Sequence, residues 1–130
     1  MDNEEPIRLP PYAHIPGVNA RHDHEQFESI CQSVEGVALA ELPATSAWKH
    51  GLAYMEREYF WEAHEVLEPV WMACPPNSAE KLFVQSLIQQ ANAGLKRKMG
   101  REQAAERLDA EAQRLRAEAE SRMPEGMFKH

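Results

Sequence analysis

Proline removes a backbone donor and fixes φ, so the placement of prolines decides where helices cannot run. Four of the nine prolines, Pro6, Pro10, Pro11 and Pro16, fall within the first twenty residues, beside Gly17. Residues 1–22 are therefore expected to form an extended arm, with Ile7, Leu9, Tyr12, Ile15 and Val18 as its anchors on a folded body. Pro43 and Gly36 mark a second break over 35–45, and Pro75-Pro76 a third. Pro124 and Gly126 begin a C-terminal tail over 123–130. The segments left between these breaks have helical periodicity.

Phe27, Ile30, Cys31 and Val34 predict a short helix over 23–34, with Asp23 as N-cap and Gln26 as its capping-box partner. Thr45 or Ser46 can cap a helix over about 46–57, and a second follows over about 59–72. Pro69 lies late in the latter and clashes with the carbonyl of Glu65, so a kink or loosening is expected there. Ser78 caps a long helix that ends near Met99, where Gly100 is a ready C-terminal stop. The last helix covers about 101–121, with Ala104, Leu108, Ala112, Leu115 and Ala119 on one side. Short links favour antiparallel neighbours. The expected fold is all-α: a small antiparallel bundle of about four to five helices, one domain over 23–122, wrapped by the arm.

A net charge of −7 argues against nucleic acid as a partner, since phosphate binding needs a basic face. The one basic cluster, Lys96-Arg97-Lys98 with Arg101, sits where it complements a helix C-terminus. Cys31 and Cys74 form no CxxC pair, and reduced thiols in a cytoplasmic protein are expected. No signal peptide or membrane span is read. The Ala/Leu stripe of the last helix raises a homodimer as an expectation.

Chemistry concentrates in Glu62-Ala-His-Glu-Val-Leu-Glu68 and Trp71. Setting His64 at zero on a helix of 3.6 residues per turn puts Trp71 near about −20°, Phe60 near about −40° and Leu67 near about −60°. Glu68 falls near about +40° and Glu65 near about +100°, while Glu62 points away and is expected to be solvated. His64 thus sits in the apolar stripe with Glu68 one turn above. Gln85, Gln89, Asn92 and Lys96 stack along one side of the following long helix. If the two helices pack, these residues meet His64 and Glu68 in a semi-buried polar pocket that can take a small molecule. His64, Glu65 and Glu68 are the candidate catalytic residues. His64 and Glu68 are candidate ligands for Zn, Mn, Fe or Ni, with His14, His22 or His24 as further donors. The alternative is a core histidine satisfied by Glu68, in a non-catalytic ligand-binding or interaction module whose amide network only sets packing. His22-Asp23-His24 also reads as a solvated helix start, and His50 as exposed. No nucleophile arrangement or Gly-rich phosphate loop is present.

Trp48-x2-Gly51-Leu52 followed by Tyr59-Phe-Trp-Glu-Ala-His-Glu-Val-Leu-Glu68-x2-Trp71 resembles the signature of the domain of unknown function 309 family. Leu87-Ile88-Gln89-x-Ala91-x-Ala93 is similar to its second block, and Leu9-Pro10-Pro11-Tyr12 to Pro16-Gly17 with Arg21-His22 resembles the start of many bacterial members. The resemblance implies a small helical bundle of bacteria and archaea, often described as a predicted metal-dependent hydrolase. By position it points to His64, Glu65, Glu68, Trp71 and Gln89. Two residues depart from the family pattern: Lys96 where many members carry histidine, and Glu58 where many carry a turn glycine.

Overall fold

The computed structural model describes residues 6–123; the expected tail residues 124–130, with His130, and the first five residues of the arm lie outside the described residues. The extended arm leads into α1 (Glu25–Gln32), a 3-10 helix (Leu39–Ala44), α2 (Ser46–Glu56), α3 (Phe60–Ala73), α4 (Ala79–Lys98) and α5 (Glu102–Arg122). The fold is all-α, and the helix boundaries lie within about two residues of those read from periodicity.

Side-chain caps start α2 and α4. Thr45 Oγ1 accepts from the Trp48 N–H at 3.3 Å, and Ser78 Oγ from the Lys81 N–H at 3.1 Å. α1, α3 and α5 start without a side-chain cap; in α1 the N-cap is His24, not Asp23. The two hairpin links on either side of the α3–α4 pair end in the same backbone motif. At the end of α4, the Arg101 N–H reaches Lys96 O and the Gly100 N–H reaches Arg97 O, with Gly100 at φ +78°. At the end of α2, Tyr59 N–H reaches Tyr54 O and Glu58 N–H reaches Met55 O, with Glu58 at φ +64°. Both are Schellman caps, but the second places a side chain where glycine is the unstrained choice.

Two glycines inside helices mark close crossings. A Cβ on Gly51 of α2 would lie 2.4 Å from Leu67 Cδ2 on α3, and one on Gly94 of α4 would lie 2.5 Å from Phe60 Cζ. The absent side chains let α3 approach both neighbours. As a result α3 is central: Ala63, Val66, Leu67 and Val70 are all fully buried, against α1, α2, α4 and the arm. Helical structure continues through Pro69 to Ala73. The carbonyl that Pro69 leaves without its internal donor, Glu65 O, accepts the Cys31 thiol of α1 at 3.6 Å. Both cysteines are free, and burial, then Glu65 and Glu68, push the Cys31 thiol up to about 11, so it stays a protonated donor.

In α5, Ala105, Ala112, Leu115 and Ala119 are buried, and α4 and α5 pack along most of their length. Of the stripe read as a surface for a second copy, Ala112, Leu115 and Ala119 are buried within the chain, and Ala104 and Leu108 are half-buried. Arg97 near the end of α4 bridges Glu102 and Asp109 of α5, and Arg116 of α5 lies over the Phe83 ring, which fixes the antiparallel alignment.

Replacing Gly51 by alanine is expected to lower the free energy of unfolding by about 1–3 kcal/mol, because Leu67 is packed on every side and has nowhere to move. Glu58→Gly is expected to act in the opposite sense, by about 0.5–1 kcal/mol after the added freedom of the unfolded chain is subtracted. The surface pair Glu58–Lys98, at 2.7 Å, offsets little of that gain. Urea midpoints of the two variants against the parent check both signs.

Candidate functional site

Polar chemistry lies on two opposite sides of α3. On the side facing α4, His64 is half-buried, and its Nδ1 lies 3.0 Å from Asn92 Oδ1. Asn92 Nδ2 donates to Gln89 Oε1 at 3.2 Å, which leaves Asn92 Oδ1 to accept and His64 Nδ1 to carry the proton. His64 Nε2 is then an acceptor, without a partner among the described residues.

The other residues read from the sequence are placed unevenly around this imidazole. Glu65 is half-buried and Glu68 is exposed, so the expected semi-buried His64–Glu68 pair does not form. The helix continues one turn past His64 toward solvent, and Glu68 takes the hydrated position that costs a carboxylate least. Gln85 is half-buried and makes no hydrogen bond to His64. Lys96 is half-buried, one turn beyond Asn92, without an ion-pair partner among the described residues. Trp71 belongs to a different contact: Lys81 Nζ stands 4.1 Å over its ring and donates to Cys74 O at 3.3 Å. The buried Trp71 Nε1 has no acceptor among the described residues.

On the opposite side, Glu62 is fully buried rather than solvated. Its Oε2 accepts the His14 N–H at 2.8 Å and contacts His22 Nε2 at 2.7 Å. Its Oε1 has no donor among the described residues. Tyr12 lies over His22 with ring centroids 4.7 Å apart, while Phe27 and Trp61 flank the same imidazole at 5.8 and 6.0 Å. His14 is itself buried, edge-on to Trp61 at 4.9 Å, with Nδ1 donating to Asn19 Oδ1 at 3.1 Å.

The arm is thus held by polar side chains of the body. His50, fully buried rather than exposed, accepts the Arg8 N–H at Nε2, 3.2 Å away. Tyr54 donates to Arg8 O at 2.9 Å and Tyr59 to Pro10 O at 3.2 Å. Of the expected apolar anchors, Leu9, Tyr12 and Val18 are exposed; Pro10, His14 and His22 are buried instead. A Pro-rich strand cannot pair its own backbone groups, so docking it onto a helical body requires side-chain partners at its N–H and C=O groups. His22 belongs to this clasp, not to a solvated helix start; Asp23 and His24 are the exposed residues there.

Metal coordination at His64 would need donors that converge. On the far side of the helix the His22 ring pairs with Glu62 and the His14 ring with Asn19, His24 is exposed, and Glu68 faces solvent. Among the described residues no group of three or more His, Cys, Asp or Glu side chains is arranged to hold a metal ion. The donor set therefore does not fit the divalent metal that the resemblance implies.

The helical hairpin that carries these residues has a counterpart among known families: the model of a domain of unknown function, DUF309, matches residues 48–108. Residues 48–108 belong to the DUF309 family. Comparison with curated proteins and with solved structures returns no match. The DUF309 segment contains His64, Asn92, Gln89 and Lys96, and also His50, Tyr54, Tyr59 and Glu62, which grip the arm. The arm itself, with His14 and His22, precedes it.

Sequence reasoning found the amide stripe but missed the clasp. Glu62, Val66 and Val70 are spaced by four and form one buried line on α3, a signal visible once that helix is taken as central rather than one-sided.

Burial, then Glu62, pushes the Tyr54 hydroxyl up to about 12. The folded chain therefore holds this proton more tightly than the unfolded chain, in which tyrosine titrates near about 10. The contribution of Tyr54 is intact below about pH 10 and is lost as pH rises toward about 12. Tyr54→Phe is expected to cost about 1 kcal/mol at neutral pH, through loss of the bond to Arg8 O, and to flatten stability between those pH values. Urea unfolding at pH 8 and pH 11 tests both.

Proposed function

We propose that the DUF309 segment is a non-catalytic binding module for a small polar molecule, which docks on His64 in the seam between α3 and α4. The observation that supports this reading is the half-buried imidazole itself: Nδ1 is fixed by the Asn92–Gln89 relay, and Nε2 is left without a partner among the described residues. A histidine serving packing alone would have both nitrogens paired.

The flanking charges suggest the ligand class. Because α3 and α4 run antiparallel, with His64 opposite Asn92, Glu68 stands to one side of the imidazole and Lys96 to the other. Neither has an ion-pair partner among the described residues. They are separated by about eight helical residues along the bundle axis, roughly 12 Å. A molecule with a cationic end, an anionic end and a hydrogen-bond donor between them matches that order. Glu65 adds negative charge on the cationic side.

The probe is a zwitterion with amide N–H groups between its charged ends, such as triglycine, added to protein purified without an affinity tag. Binding is expected to shift the His64 ring resonances and to be lost in His64→Ala and weakened in Lys96→Ala. Zn, Mn and Ni form the second arm of the experiment. A metal-dependent rise in melting temperature that disappears in His64→Ala, with no zwitterion effect, would replace this reading by the metal-dependent one.

A further inference from the structure

The arm is fastened by two chemically different clasps. The first half is held at Arg8, whose N–H is accepted by His50 Nε2, whose carbonyl takes the Tyr54 hydroxyl and whose guanidinium donates to Ser29, and at Pro10, whose carbonyl takes the Tyr59 hydroxyl. His50 Nδ1 faces Ser46 O at 3.0 Å, so Nδ1 carries the ring proton and Nε2 the lone pair. The second half is held at Glu62, which takes the His14 N–H and His22 Nε2 on one oxygen. Pro10 and Pro11 stand between the clasps; they offer no N–H and hold the backbone extended.

We infer that residues 7–11 form a strap that proton uptake at His50 releases, while residues 12–22 stay clamped on Glu62. The two clasps respond oppositely to acid. Adding a proton to His50 Nε2 sets an N–H against the Arg8 N–H, two donors with no acceptor between them, so the docked strap and the imidazolium exclude each other. Adding a proton to His22 leaves its Nε2–H facing the Glu62 carboxylate and adds charge assistance.

Tyr54, one turn along the same helix, is in ring contact with His50, their centroids 5.7 Å apart. Around Tyr54 act Arg8 from the arm, Cys31 from α1, and Tyr59 and Glu62 from the α2–α3 link and α3. Of these, Glu62 is the carboxylate, and its hydrogen-bonded oxygen is already engaged with His14 and His22. Tyr54 and Cys31 remain neutral well above the range in which histidine titrates.

With the strap docked, Arg8 to Pro11 share a cleft of about 280 Å³ with Phe27, Ile30 and Tyr54, and release would widen it. Phe27 and Ile30 are buried at 3% and 1% exposure with the strap in place. The device therefore uncovers an apolar floor without detaching the rest of the arm.

Amide hydrogen exchange of the full chain, read by NMR and corrected for intrinsic rates, tests this at pH 7.5 and pH 5.5. The Arg8 amide is expected to lose protection by about tenfold or more in acid, over the range where histidine charges, while His14 keeps its protection. His50→Gln, whose amide oxygen can accept the same N–H but cannot titrate, is expected to make Arg8 protection independent of pH. Joint loss at Arg8 and His14, no loss at either, or an unchanged pH response in His50→Gln would each overturn the inference. The wild-type comparison decides on its own if the variant does not fold.

Discussion

A carboxylate with no water around it is the constraint on which the rest of the structure depends. Glu62 is fully enclosed at the start of the central helix, and an ionised group in that position is tolerated only when hydrogen-bonded. The bundle cannot provide donors from its apolar faces. They come from the arm, through the backbone of His14 and the ring of His22. The arm is therefore part of the fold's polar balance, and the aromatic rings of Tyr12, Phe27 and Trp61 close over the contact. Gly51 and Gly94 make the arrangement compact by letting the central helix sit close to both partners.

Helix positions were legible because proline, cap residues and apolar periodicity are local signals, and they agree at Thr45, Ser78 and Gly100. Which side of a helix is buried is a tertiary property. The angular reading of α3 assumed one buried face, and so placed Glu62 in water and Glu68 beside His64. With neighbours on several sides, the buried line runs through Glu62, Val66 and Val70, while Glu68 reaches solvent. His50 was misplaced for a related reason: the surface that covers it belongs to a strand with no periodicity. The apolar residues of the arm suggested hydrophobic anchoring, but an extended Pro-rich backbone is limited by its unpaired polar groups.

The amide stripe on α4 was legible because Gln89 and Asn92 border an apolar face, where alkyl side chains are the default. The structure brings both to His64 and leaves Gln85 apart. Trp71 shares a helical face with His64 in projection yet is engaged by Lys81, since side-chain reach and the partner helix decide contacts that angles alone do not. The departure at Glu58 is absorbed in place: the turn keeps its cap geometry with a non-glycine residue in the left-handed region. The departure at Lys96 leaves a half-buried lysine one turn beyond Asn92.

Pro69 has a consequence for assembly. Along a regular helix every interior carbonyl is internally matched, so a neighbouring helix finds no distinguishing polar mark and can dock one turn up or down at small cost. Removing one N–H creates a single unmatched oxygen, and the Cys31 thiol meets it. The imperfection thus acts as an address: it tells α1 where along α3 to stop. An alanine at position 69 would mend the helix and erase that mark.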